Sequence, residues 1–212
     1  MSSSLPAPSA MIARLAAGVA GVTGEPIPPD DGQRRAAVAI VLHDAPEGVR
    51  VLLMKRATRE SDPWSAHISL PGGGFHAEDR DLRTTAIRET REELGIALEL
   101  TRPLGRLGAL HPLTSGPKGI EVSPYIFVTT ETLVPELGPE AESAFWLPLE
   151  LVESGALDGM FEFESTLHAR PVAFPCWNFE GHCIWGLTWR ILVELLALTR
   201  APEADHAQES AR

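Results

Sequence analysis

A chain of 212 residues is about one and a half typical domains long, so one elaborated domain with arms is expected rather than two full cores. Its composition, 44% hydrophobic and 22% charged, excludes a mostly disordered or fibrous protein. Eighteen Lys and Arg against 29 Asp and Glu leave a formal net charge of −11, a field that repels nucleic-acid backbone and anionic membrane and argues against either as a partner. A small anionic substrate remains compatible, because a basic patch or a divalent cation reverses the field locally.

The first thirty-five residues read as an arm and linker: a Ser/Pro-rich start, a short amphipathic helix over about Ser9 to Val19, and a Pro/Asp/Gly stretch. The apolar run Leu15 to Val22 is short and contains glycine, a poor match to a secretory signal. No run approaches the roughly 20 residues that span a bilayer, and Cys176 and Cys183 lack zinc-type spacing. A cytoplasmic protein with reduced thiols is expected. Residues 36–42 and 49–56 are apolar runs around a polar turn, which predicts a hairpin of largely buried strands. After a loop from Ala57 to His67, Ile68-Ser69-Leu70 leads into Pro71-Gly72-Gly73-Gly74, read as a side-chain-free turn where backbone can approach a ligand or metal.

Helix signals agree between Asp81, a candidate N-cap, and Gly95, a candidate C-cap, with Leu82, Ala86, Ile87, Thr90 and Leu94 on the buried face. Strand-like runs follow near Leu104 to Leu110, Ile120 to Thr130 and Ser143 to Leu147, with Pro148 opening a short helix. A last helix is predicted over about Ile184 to Leu198, carrying Trp185 and Trp189 as core or dimer-interface residues, which leaves a homodimer open. Residues 201–212 read as a polar tail.

Chemistry concentrates on the middle helix. Glu89, Glu92 and Glu93 stand at i, i+3 and i+4, on one face and within reach of a common point. Carboxylates so close repel one another unless a cation binds among them, and an all-oxygen set suits Mg²⁺ or Mn²⁺. Arg88 can orient them through charge-assisted pairs. Arg88-Glu89-Thr90-Arg91-Glu92-Glu93-Leu94-Gly95-Ile96 resembles the second half of the Nudix box, G-x5-E-x7-R-E-U-x-E-E-x-G-U, with the box glycine at Gly74. Arg80 stands where the intermediate box Glu falls, with Glu78, Asp79 and Asp81 as local substitutes, and Thr90 replaces an aliphatic residue. Leu52-Leu53-Met54-Lys55-Arg56 and residues 62–73 are similar to the signature of the coenzyme A pyrophosphatase branch of Nudix hydrolases, with Ala66 in place of its Gly and Leu70 in place of its Phe.

The resemblance covers about Ala36 to Leu198 and implies an α/β/α sandwich around a mixed β-sheet, with the Nudix domain over residues 36–200. It implies metal-dependent hydrolysis of a pyrophosphate bond in a nucleoside diphosphate derivative. Coenzyme A or an acyl-coenzyme A is the expected substrate; NADH, ADP-ribose, a nucleotide sugar or a nucleoside triphosphate, or a non-catalytic binding module, are the alternatives. Glu89, Glu92, Glu93 and Gly74 are the implied metal ligands. Arg56, Trp64, His67, Gly72 and Gly73 are candidate substrate contacts: Arg56 for phosphate, Trp64 for stacking on adenine, His67 for its place on the approach to the glycines. Glu89, Glu140 and Glu142 are the candidates for general base.

Overall fold

The computed structural model describes residues 7–19, 28–29, 31–59, 65–112, 119–163 and 171–200. Its centre is a seven-stranded mixed sheet. The predicted hairpin is β1 (Arg35–Ala45) and β2 (Gly48–Arg56), antiparallel with Leu42 opposite Val51. β3 (Ile68–Ser69) adds to β2, and β4 (Gly72–Gly74) pairs with β1. After α2 (Leu82–Leu94) come β5 (Arg102–Arg106) and β6 (Glu121–Thr129), then β7 (Ala141–Pro148), which lies on the outer edge of β2. The path runs β3-β2-β1-β6-β5, and β1 with β6 is its parallel pair.

Two hydrophobic clusters, one on each face of this sheet, explain the layers. Alternation along β1 sends Ala37, Ala39 and Val41 to the α2 side, where they meet Ala86, Leu94, Met54 and Tyr125. It sends Ile40 and Leu42 to the other side. There they meet α1 (Ala10–Gly18), α3 (Leu149–Glu153) and α4 (Gly186–Ala197). The helix of the expected arm therefore belongs to the core: Met11, Ile12 and Leu15 are buried, and Ser9 caps it while its own N–H donates to Asp44 at 3.0 Å.

Two expectations need correction, and one sheet was not expected at all. The glycine run is not a free turn but strand β4, with Gly72, Gly73 and Gly74 opposite Val38, Ala37 and Ala36. Its glycines are there for room: a Cβ on Gly72 would strike the backbone of Ala37 and Val38, and φ at Gly72 is +153°. The last helix starts at Gly186, because Ile184 and Trp185 finish a strand. That strand, β10 (His182–Trp185), belongs to a second sheet the sequence did not suggest, with β9 (Val172–Phe179) between it and β8 (Asp158–Phe163). Trp177 and Ile184 attach this sheet to the α4 side of the core. Among the described residues no helix is long and apolar enough to cross a membrane.

Candidate functional site

Helix α2 forms where its end signals lie. Asp81 accepts the Thr84 N–H at 2.7 Å, and Gly95 ends the helix in a left-handed conformation, φ 65°. Thr90, unusual at a buried helical position, satisfies its hydroxyl on the Ala86 carbonyl at 2.7 Å. The buried face includes Thr85 and Glu93 as well as Ala86, Thr90 and Leu94, so it is turned toward the carboxylates relative to the face the periodicity suggests. Glu93 is 2% exposed, Glu89 is half-buried and Glu92 faces solvent.

The glycine strand runs beneath these carboxylates. The Gly72 N–H donates to Glu93 Oε2 at 2.8 Å. A Cβ on Gly73 would lie 2.6 Å from the Glu89 carboxylate, so only glycine leaves the Glu89 head group its place against the strand. Burial pushes the Glu93 carboxyl up to about 8, against the Gly72 N–H and Arg56, with Glu89 and Glu140 adding to the rise. Burial raises Glu89 too, although Arg88 opposes it.

Arg88 is the strut of the site. Its guanidinium donates to both oxygens of Asp79, at 3.0 and 2.9 Å, to Glu89 at 2.9 Å, to Glu92 at 3.2 Å and to the Gly74 carbonyl at 3.0 Å. Asp79 is 5% exposed. Burial alone would raise its carboxyl, but hydrogen bonds from Arg88, the His76 N–H and Thr85 outweigh that and hold it below the usual carboxylate range. Asp79 thus supplies the ion pair that Arg80, exposed one position later, does not.

Around this centre, Arg56 ends β2 with its guanidinium 3.9 Å from Glu93. Glu140, just before β7, pairs with Arg59 at 3.1 Å, and its carbonyl accepts the Ala57 N–H. Glu142 pairs with Lys55 at 2.7 Å. His67 does not join the carboxylates; its ring lies 5.1 Å from that of Trp185, which Phe161, Phe163 and Phe174 also surround. Trp64 lies outside the described residues. The Arg59 contact to Glu140 had no signal in the sequence, since the two residues are brought together only by the pairing of β2 with β7.

Among the described residues no three His, Cys, Asp or Glu side chains already converge on one point. The donor set nevertheless fits a hard divalent cation: every side-chain donor is a carboxylate oxygen, and two of the three carboxylates are drawn partly or wholly out of water, where burial raises their pKa. Glu89, Glu92 and Glu93 would hold it, with the Gly74 carbonyl at hand on the neighbouring strand.

The NUDIX domain family model matches residues 33–167. The proteins described as uncharacterized Nudix hydrolase NudL from Yersinia pestis (strain Pestoides F) and Yersinia pseudotuberculosis (serotype O:1b) are each 30% identical over 168 residues, covering 76% of this chain and 78% of the relative. A MutT/nudix family protein from Enterococcus faecalis superposes with a TM-score of 0.53 at 16% identity, over 82% of this chain and 64% of that protein's length. That likeness speaks for the fold.

Proposed function

This chain belongs to the Nudix hydrolase family, a pyrophosphohydrolase family acting on nucleoside diphosphate derivatives, and from that premise we propose that it hydrolyses coenzyme A or an acyl-coenzyme A with Mg²⁺ or Mn²⁺. The products would be adenosine 3',5'-bisphosphate and a phosphopantetheine. The observation that carries the reaction class is the oxygen-only pair of half-buried Glu89 and buried Glu93 seated on the glycine strand. The substrate rests on the signature over residues 52–73. Its departures at Ala66 and Leu70 favour, as a second reading, another nucleoside diphosphate-linked compound.

When bound, a divalent ion supplies neutralisation of phosphate charge, polarisation of phosphorus and a lowered pKa for the attacking water. The protein's own groups do the rest. Arg88, anchored on Asp79, sets the directions of Glu89 and Glu92. Arg56 presents paired donors to phosphate oxygens. Glu140 takes the proton of the attacking water as its oxygen bonds phosphorus and the anhydride P–O bond breaks. Glu140 and Glu142 are each paired with a cation, Arg59 and Lys55, and Glu140 suits this better because it alone of the two is near enough to Glu93 to help raise its carboxyl.

Coenzyme A, acyl-coenzyme A, NADH, ADP-ribose and nucleoside triphosphates, assayed with each metal and analysed by product mass, test the reading. Coenzyme A or its acyl form should give the highest kcat/KM. A clear preference for ADP-ribose or NADH moves the substrate to the second reading, and no turnover of any of them leaves a binding module. Glu140→Gln should lower kcat by about 10² to 10⁴ and change the acidic limb of the pH profile. Wild-type kcat in that variant returns the base to Glu89 or Glu142.

A further inference from the structure

The Ser69 hydroxyl oxygen is buried and, among the described residues, has no hydrogen-bond partner. A buried hydroxyl without a partner is a cost to the free protein, and because Ser69 as a whole is only half-buried, a turn about its Cα–Cβ bond can bring the hydroxyl to a ligand that completes it. Its direction follows from register. Ser69 stands opposite Met54 across β3 and β2, and directly paired residues share a face of the sheet. Met54 packs with Ala86 and Leu94 beneath α2, whereas the neighbours of Ser69 in sequence, Ile68 and Leu70, go to the other core. The hydroxyl therefore lies on the α2 face, on the chain segment whose Gly72 N–H holds Glu93 and beside the strand that ends in Arg56.

We propose that Ser69 is a substrate-contacting residue whose hydroxyl donates a hydrogen bond to a non-bridging oxygen of the bound pyrophosphate. This rests on the reading of the site as a pyrophosphate hydrolase, and it adds a neutral donor to a site otherwise described by charged groups. The contact forms with substrate and persists through the reaction, so it contributes to binding more than to turnover.

The test is Ser69→Ala in the full chain with Mg²⁺, measured three ways: calorimetric binding of inorganic pyrophosphate, steady-state kinetics on coenzyme A, and thermal unfolding without ligand. Pyrophosphate should bind about tenfold more weakly and KM should rise by a similar factor, with kcat within about twofold of wild type. The unfolding temperature should stay level or rise, because the variant removes an unpaired buried hydroxyl. A hydroxyl of purely structural consequence would lower the unfolding temperature on removal and leave pyrophosphate binding unchanged. Equal pyrophosphate affinity in variant and wild type, or no binding by wild type, overturns the proposal. A wild type that binds pyrophosphate more tightly than Ser69→Ala but turns over no nucleoside diphosphate derivative overturns the proposed function and leaves Ser69 standing.

Discussion

Glu93 joins two properties that pull against each other: a carboxyl pushed up to about 8 by burial, and the role proposed for its anion as a metal ligand. Without metal, its folded pKa lies above the ordinary value of about 4.5, so between those values the folded state binds more protons than the unfolded one. Its stabilising share is therefore full below about 4.5 and is lost as pH rises through about 8. In the presence of a chelator, wild type should lose stability across that window, whereas Glu93→Gln, which carries no ionising group there, should be flatter and more stable at the alkaline end. The same variant should lower kcat by at least about 10²-fold in Mg²⁺. Parallel denaturation curves for the two proteins from pH 5 to pH 9 would contradict the first expectation, and near-normal turnover the second. The sequence placed Glu89, Glu92 and Glu93 on one side of a helix because spacing fixes direction. It did not reveal that Glu93 is buried, since depth depends on the sheet beneath. Asp79 was legible only as one of three nearby acids; the side-chain bonds from Arg88 and Thr85 single it out.

Among the elements, the loop before β3 carries a local strain at Ala66, which the sequence showed only as a departure from the branch signature. Ala66, at the position where the coenzyme A branch has glycine, adopts φ +60°, the left-handed region that costs an L-residue about 1–2 kcal/mol. Ala66→Gly should stabilise the protein by about 0.5–1 kcal/mol after the larger unfolded-state entropy of glycine is subtracted. Urea denaturation at fixed pH reads this directly, and a loss of stability would mean that the methyl group has packing value outweighing the strain. The central hairpin, α2 and its caps were readable because apolar periodicity and end signals coincide there. The β8–β10 sheet was not, because Pro175 sits inside its middle strand, where a missing N–H argues against a strand at all. Gly72 to Gly74 misled for a related reason: glycine weakens a strand in isolation, while here the close approach of β1 and Glu89 demands it.

At the scale of the molecule, helix α1 is structural. Ile12 and Leu15 are fully buried in the same cluster as α4 and the sheet, although they lie outside the matched family region. Ile12→Ala should cost about 2–5 kcal/mol, as large-to-small changes in packed cores do. A change under about 0.5 kcal/mol in urea denaturation would mean that α1 does not hold to the body in solution.

The parallel pairing of β1 with β6 sets the order in which the site can come into being. Arg35 meets Glu121, so the partner of the central strand is made 86 residues later, after every glutamate of α2 has been synthesised. Until β6 arrives, β1 offers an open edge and one face of the sheet has no Tyr125 or Phe127 to seat α2 against. Closing so long a loop is an entropic barrier that precedes any reward from contacts, and sheets built this way fold slowly. The carboxylates are thus synthesised early and gathered late, so the seating of Glu89 and Glu93 against the glycine strand is a property of a chain that has already extended through β6.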